Sequence, residues 1–185
     1  DPETPPAGGT ETDPDPYARP PQGEVLNDAI WARMSGLEVF QAQLAGELPM
    51  PPIHFLTGLE PTDVAVGEAS FTMPATEWLC APLRERVQGG AVALLAEAAL
   101  SGAIQTTTPA GTALAPVDLK VNYLRPLAAD GRRAMARGRV VHSGRRIAVA
   151  NAEVLDADGK PVAVATGSAM VLPGRPASLA APDEA

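Results

Sequence analysis

Hydrophobic and polar positions repeat with two different periods along the chain, and the change of period divides it into elements. Between residues 24 and 48 the apolar residues recur at steps of three and four: Leu26, Ile30, Met34, Leu37, Phe40 and Leu44. This spacing lines one face of a helix, so we predict an amphipathic N-terminal helix over 24–48, ended by Gly46 and Pro49.

From residue 53 onwards the apolar and polar residues tend to alternate, which is typical of half-buried strands. The stretch 53–78 is strand-like but broken, with a turn at Gly67 that predicts a hairpin. Short turns between consecutive strands imply antiparallel pairing. Four alternating segments follow, over residues 115–123, 132–142, 145–155 and 161–172. Turns at 142–144 and 156–159 separate the last three of these segments.

One stretch does not alternate. Residues 91–104 are apolar except for Glu97 and Ser101, and the pair Gly89-Gly90 precedes them. We interpret this stretch as a buried helix, kept thin by its alanines so that a sheet can curl closely around it. The fold class is therefore α+β: a hotdog arrangement of about six antiparallel strands around one central helix, with an additional N-terminal helix.

Both ends of the chain differ in composition from the middle. Residues 1–23 are rich in proline, glycine and acids, which predicts a disordered or extended tail, and 173–185 form a second tail. The hotdog domain spans 49–172. The net charge of −8 is concentrated at the N-terminus, so the middle is nearly balanced. This charge argues against nucleic acid or an anionic membrane as partner, and does not exclude an anionic ligand.

The side chains that bind metals and form disulfides are scarce. Cys80 is the only cysteine and the chain has two histidines, which excludes an internal disulfide and makes a zinc site improbable. We expect neither a metal nor another cofactor. No apolar run reaches membrane-spanning length, and a cytoplasmic protein fits this composition best.

Glu97 is the candidate for chemistry, because a carboxylate in an apolar helix must pair with a base such as arginine, be protonated, or face a cleft. A glycine-rich helix start also offers N–H donors to developing negative charge. Eight residues separate Gly89 from Glu97, about 12 Å along a helix, so the two residues of one chain could not both contact the same reacting carbon atom. Two antiparallel copies of the helix would bring them together, so we predict an obligate homodimer.

Three runs carry a resemblance to a known family: VQGGAVALLAEAALSGAI, DLKVNYLRP and VVHSGRRIAVANAEVLDADGKPVAVATGSAMVL. Over residues 46–172 the chain resembles the hotdog-fold acyl-CoA thioesterases of the PaaI and 4-hydroxybenzoyl-CoA thioesterase family. The resemblance implies that the Gly89 N–H polarises the thioester carbonyl and that Glu97 is nucleophile or general base. It also implies that Ser101 supplies a helping hydroxyl, and that the protein is a homodimer or a tetramer of two dimers.

The same resemblance implies an acyl-CoA substrate, contacted by Gly90, Tyr123 and the turn Ser143-Gly144-Arg145-Arg146. From the residues alone, the two arginines fit exposed hairpin charges equally well. The sequence departs from the family pattern twice, because Gln88 replaces the usual histidine and Pro82 replaces a helping glutamine. A glutamine amide can still donate a hydrogen bond, whereas proline cannot. A non-catalytic acyl-CoA-binding module is therefore the alternative.

Overall fold

The computed structural model describes residues 16–18, 20–83 and 85–174 of the 185-residue chain. Within these residues the longer helices and the strands follow one another in a simple order. The helices are α1 (Asp28–Trp31), α2 (Gly36–Leu44), α3 (Pro52–Thr57) and α4 (Gly89–Gln105). The strands are β1 (Glu60–Ala65), β2 (Glu68–Pro74), β3 (Thr112–Tyr123), β4 (Arg133–Ser143), β5 (Ile147–Leu155) and β6 (Pro161–Pro173).

The described strands form one six-stranded antiparallel sheet in the order β1-β2-β4-β5-β6-β3. Both predicted hairpins among the last three strands are confirmed, as is the β1–β2 hairpin, in which Gly67 has the positive φ (78°) that its turn requires. The third strand does not join its sequence neighbour β4. It pairs with β6 at the edge of the sheet, so its other side has no partner strand in the described chain.

Helix α4 lies against one face of this sheet, as predicted. Its inward residues are fully buried, among them Leu95, Ala96, Ala99 and Ala103. The helix approaches β4 very closely because Gly138 has no side chain, and a Cβ at that position would overlap the Ala99 carbonyl. A six-stranded antiparallel sheet packed around one long apolar helix confirms the hotdog fold.

The prediction for the N-terminal helix was wrong in its extent. The chain forms α1 and α2 instead of one helix over 24–48, because Ser35 starts a new helix. The Ser35 hydroxyl accepts the Glu38 N–H, and the Glu38 carboxylate accepts the Ser35 N–H in return, which is a capping box. Gly46 follows the end of α2 with a φ of 74°, in agreement with its predicted role as a stop.

Two further expectations need correction or limitation. Residues 52–57 are helical (α3) rather than strand-like, since Pro52 suits a first helical turn and Gly58 ends the helix in the left-handed conformation. Most of both predicted tails lies outside the described residues. Just after the N-terminal tail, Glu24 donates its N–H to the Met50 carbonyl at 3.0 Å, so the residues before α1 are attached to the domain.

Candidate functional site

Glu97 lies in the middle of α4 at the wall of a cleft. The cleft has a volume of about 250 Å³ and lies between α4 and the edge strand β3; its lining residues are Glu97, Leu100, Ser101, Pro116, Val117, Asp118, Leu119 and Ser168. Ser101 is one helical turn further on, and its hydroxyl donates a 2.7 Å hydrogen bond to Glu97 Oε1. No basic side chain of the described residues forms an ion pair with this carboxylate. Glu97 therefore faces a cleft with a hydroxyl partner instead of an arginine.

The N-terminus of α4 presents two N–H groups. Gln88 is the N-cap residue, and its carbonyl accepts the N–H groups of Ala91 (2.9 Å) and Val92 (3.3 Å). Its side chain is exposed and caps nothing, so it adds no acceptor at the helix start. Within the described residues, the N–H groups of Gly89 and Gly90 have no hydrogen-bond acceptor. Such a helix terminus is suited to binding an anionic oxygen.

Tyr123 lies beside this helix terminus. Its hydroxyl donates a 2.8 Å hydrogen bond to the Gly89 carbonyl, and a Cβ added to Gly89 would lie 3.2 Å from the Tyr123 Cζ and Oη atoms. The ring therefore packs on the bare backbone of Gly89. The sequence showed Tyr123 as the last apolar position of an alternating strand, but no local signal links it to a residue 34 positions earlier.

The two halves of the candidate site are separated within one chain. Eight helical residues lie between Gly89 and Glu97, about 12 Å. Strand β3 gives the same distance between the two halves. Tyr123 contacts Gly89, and Leu119 lines the cleft of Glu97. The four strand residues from Leu119 to Tyr123 span about 13 Å. The fold therefore places both halves along the same edge of the molecule without bringing them into contact.

The turn between β4 and β5 lies at the far end of α4. Ser143 Oγ is 3.2 Å from the hydroxyl of Thr107, just beyond the helix C-terminus, and Gly144 donates its N–H to the Ile147 carbonyl. Because α4 has 17 residues, this turn is about 25 Å from Gly89. Arg145 and Arg146 are exposed, and neither forms an ion pair with another described residue.

Sequence reasoning missed the apolar wall of the cleft. Strand β3 has a bulge between Pro116 and Asp118, which turns Val117 and Leu119 towards the cleft. The Asp118 carboxylate accepts the Ser168 N–H at 2.9 Å and so satisfies a donor at the bulge. A proline inside a strand pattern was the available signal, since proline is found at edge strands and bulges.

Other features of the described residues lie away from this site. A larger concavity, about 870 Å³, is on the sheet face opposite α4 and contains none of the predicted site residues. No cluster of three or more metal-ligating side chains occurs in the described part of the chain. None of its helices is long and apolar enough to cross a membrane.

Comparisons with known proteins agree with one another. Residues 86–163 match the model of the thioesterase superfamily. A mutant of the phenylacetic acid degradation protein PaaI from Thermus thermophilus is 31% identical with a TM-score of 0.58, covering 65% of this chain and 98% of that chain. A thioesterase family protein from Silicibacter pomeroyi is 25% identical with a TM-score of 0.64, covering 76% of this chain and 100% of that chain.

PaaI from Escherichia coli shares the fold at 21% identity, with a TM-score of 0.64 over 75% of this chain and 95% of that chain. No curated protein matches the sequence.

Proposed function

The chain belongs to the thioesterase superfamily, with PaaI proteins among its structural neighbours, and we propose that it hydrolyses acyl-CoA thioesters at sites shared by two subunits. One observation carries this proposal. Glu97 and its serine partner line a cleft, and the N-terminus of the same helix offers two N–H groups that have no acceptor among the described residues. Thioester hydrolysis requires both a base or nucleophile and donors for an oxyanion.

The reaction begins with attack on the thioester carbonyl carbon. In one route the Glu97 carboxylate removes a proton from water as the water oxygen forms the new C–O bond. In the other, the carboxylate attacks directly and the resulting anhydride is hydrolysed. In both, the carbonyl oxygen becomes an oxyanion, the C–S bond breaks, and CoA leaves as thiolate and takes up a proton. The products are a free acid and CoA, and neither route needs a metal or another cofactor.

The α4 N-terminus stabilises the oxyanion. The N–H groups of Gly89 and Gly90 point out of the helix start, where the partial positive charge of the helix dipole adds to their hydrogen bonds. Preorganised donors of this kind contribute several kcal/mol to lowering a barrier of acyl transfer. Gln88 has an exposed amide with two further N–H donors next to this point.

A second subunit completes each site. A twofold axis passing α4 at Ala93 brings Gly89 opposite the partner's Glu97. On β3, Tyr123 lies beside Gly89 and Leu119 lies beside Glu97. The same axis therefore passes β3 midway between them, at Val121. The two elements therefore give the same centre for the dimer, which supports antiparallel pairing of both α4 and β3 with their copies.

The unpaired edge of β3 supports this arrangement. Its 12 residues leave a row of backbone N–H and C=O groups without a partner strand in the described chain. Val117 and Leu119 are 55% and 38% exposed, which is unfavourable for apolar residues on a sheet edge. Pairing with a second copy covers both. Two such dimers would form the tetramer.

CoA binding is assigned to the exposed cations at the C-terminal end of α4. Arg145 and Arg146 have no ion-pair partners among the described residues, and guanidinium groups bind phosphates well. Ser143 and Gly144 of the same turn supply a hydroxyl and a compact backbone beside them. With the twofold axis at Ala93, this turn would lie on the same side of the axis as the partner's oxyanion donors and beyond them along the helix direction.

Release of free thiol from a panel of acyl-CoA esters tests the proposal. We expect Glu97→Gln to lower hydrolysis by at least about a hundredfold, because it removes the base or nucleophile while keeping the shape of the side chain. Glu153→Gln, on β5 and lining the concavity of the opposite sheet face, is the matched control and should retain wild-type rates.

Two outcomes would contradict the assignment. A Glu97→Gln variant as active as the control would show that another group carries the reaction. A wild-type protein that binds acyl-CoA tightly without releasing thiol would indicate the non-catalytic binding module.

A further inference from the structure

Among the described residues, Tyr123 is the one side chain of β3 that forms a hydrogen bond with the start of α4. It pairs with Ala163 across the sheet, and the next residue, Leu124, donates its N–H to the Val162 carbonyl, so strand pairing holds the backbone on both sides of the ring. From this position the hydroxyl reaches the Gly89 carbonyl at 2.8 Å. The absence of a side chain at Gly89 is what permits the ring to lie so close.

The bonded carbonyl belongs to the same peptide group as the Gly90 N–H. This peptide is planar and trans, so its C=O and N–H point in opposite directions and cannot turn independently. A hydrogen bond that holds the Gly89 carbonyl therefore fixes the direction of the Gly90 N–H. It also withdraws charge through the peptide, which makes that N–H a stronger donor.

The surroundings of Gly90 leave this donor accessible. Its N–H has no acceptor in the described chain, and a Cβ added to Gly90 would meet no atom within 4 Å. The peptide before it is arranged alike, because the Gln88 carbonyl accepts two helix N–H groups while the Gly89 N–H remains without an acceptor. Both potential oxyanion donors thus belong to peptides whose carbonyls are held by hydrogen bonds.

We propose that Tyr123 is a positioning residue of the oxyanion site, where its hydroxyl orients and polarises the Gly89–Gly90 peptide so that the Gly90 N–H serves as a second oxyanion donor. This inference rests on the proposed thioesterase function. It differs from the CoA contact that the family resemblance implies for Tyr123, because a positioning residue affects the transition state and a CoA contact affects substrate binding.

Steady-state kinetics of Tyr123→Phe separate these two roles. Phenylalanine keeps the ring packed on Gly89 and removes only the hydroxyl. We expect kcat to fall about three- to tenfold, the effect of one net hydrogen bond, with KM within about twofold of wild type. Tyr17→Phe is the matched control, since Tyr17 is the only other tyrosine and lies beside α3. A raised KM with unchanged kcat, or no change in either constant, would overturn the proposal.

An amide resonance provides a readout that does not depend on turnover. In two-dimensional ¹H–¹⁵N spectra, Tyr123→Phe should move the Gly90 amide proton upfield, as expected of a weaker donor, and move the Gly89 amide less. An unmoved Gly90 resonance would overturn the proposal whatever the kinetics. If wild type hydrolyses no thioester while the Gly90 resonance still moves, the proposed function fails and the orienting hydrogen bond stands.

Discussion

At the scale of single residues, Gly89 combines two properties, of which only the first depends on its missing side chain. It lets the Tyr123 ring approach to within van der Waals contact, and it leaves its own N–H uncovered at the start of α4. The N–H and the close contact can be separated experimentally, because proline and alanine both add a Cβ and only proline removes the N–H.

We expect Gly89→Pro to lower kcat by about a hundredfold or more, the effect of losing one oxyanion donor. The helix should tolerate it, since proline is common at the first helical position. Gln88, with φ −60° and ψ 137°, already has the conformation favoured before proline. The measurement is kcat for thiol release, compared with Gly89→Ala.

Gly89→Ala adds the same Cβ against Tyr123 and keeps the donor, so its kcat should remain well above that of the proline variant. Equal losses in both variants would assign the effect to crowding of Tyr123 and would exclude the Gly89 N–H as a donor.

At the scale of elements, the turn between β5 and β6 forms hydrogen bonds with the segment after β3, which in turn contacts the residue just before α4. Arg125 donates to Asp156 Oδ2 at 2.6 Å and to the carbonyls of Lys160 and Pro161. Asp156 Oδ1 accepts the N–H groups of Asp158 and Lys160. Chiefly because of the Arg125 hydrogen bond, and also the backbone N–H groups, the pKa of Asp156 falls to about 2. Two residues beyond Arg125, the Leu127 carbonyl accepts the Val87 N–H just before α4.

This turn should make the protein sensitive to acid. The pKa of Asp156 is lower in the folded than in the unfolded chain, where it is about 3.9. The charged carboxylate therefore stabilises the fold above about pH 4, and the contribution is lost as the pH falls towards 2. Urea unfolding at a series of pH values measures the effect.

Asp156→Asn should be less stable than wild type at neutral pH and should lose less stability on acidification. Asp63→Asn is the control, because Asp63 on β1 forms no ion pair with any described residue. Parallel pH curves for wild type and Asp156→Asn would contradict the assignment.

At the scale of the whole molecule, one chain carries two half-sites about 12 Å apart along its α4 helix. Each half lies beside the unpaired edge strand β3, so in the proposed dimer a contact that covers this edge would also complete each site. Association and activity should then depend on one another.

Mixing two inactive variants tests this dependence. Glu97→Gln and Gly89→Pro should each be nearly inactive as homodimers. When they are unfolded and refolded together, half of the dimers contain both variants, and each of these has one intact site out of two. We expect recovery of about a quarter of the wild-type rate of thiol release.

The same variants refolded separately and then combined should show no early recovery, because subunit exchange has not occurred. Sites contained within single chains would give no recovery in either protocol. A fully active preparation that sedimentation shows to be monomeric would also rule out the shared site.

Local sequence patterns were sufficient to predict most of the fold and the components of the candidate site. The alternating strands, the turns at 142–144 and 156–159, and the apolar helix with Gly89, Glu97 and Ser101 all depend on periods of two to four residues or on turn residues, which act over short distances. Ser101 was singled out only through the family resemblance, and its hydrogen bond to Glu97 is a contact between helix residues four positions apart. The single helix over 24–48 was wrong because hydrophobic period does not reveal a helix start created by a capping box.

Only the tertiary structure decided where β3 and the residues that contact it lie relative to elements distant in sequence. The place of β3 beside β6 and at the edge of the sheet results from pairing between residues about 40 to 60 positions apart, and the bulge after Pro116 turns the cleft wall towards Glu97. The hydrogen bond from Tyr123 to Gly89 likewise joins residues 34 positions apart. Such contacts depend on the curvature and register of the whole sheet, to which no short stretch of sequence corresponds.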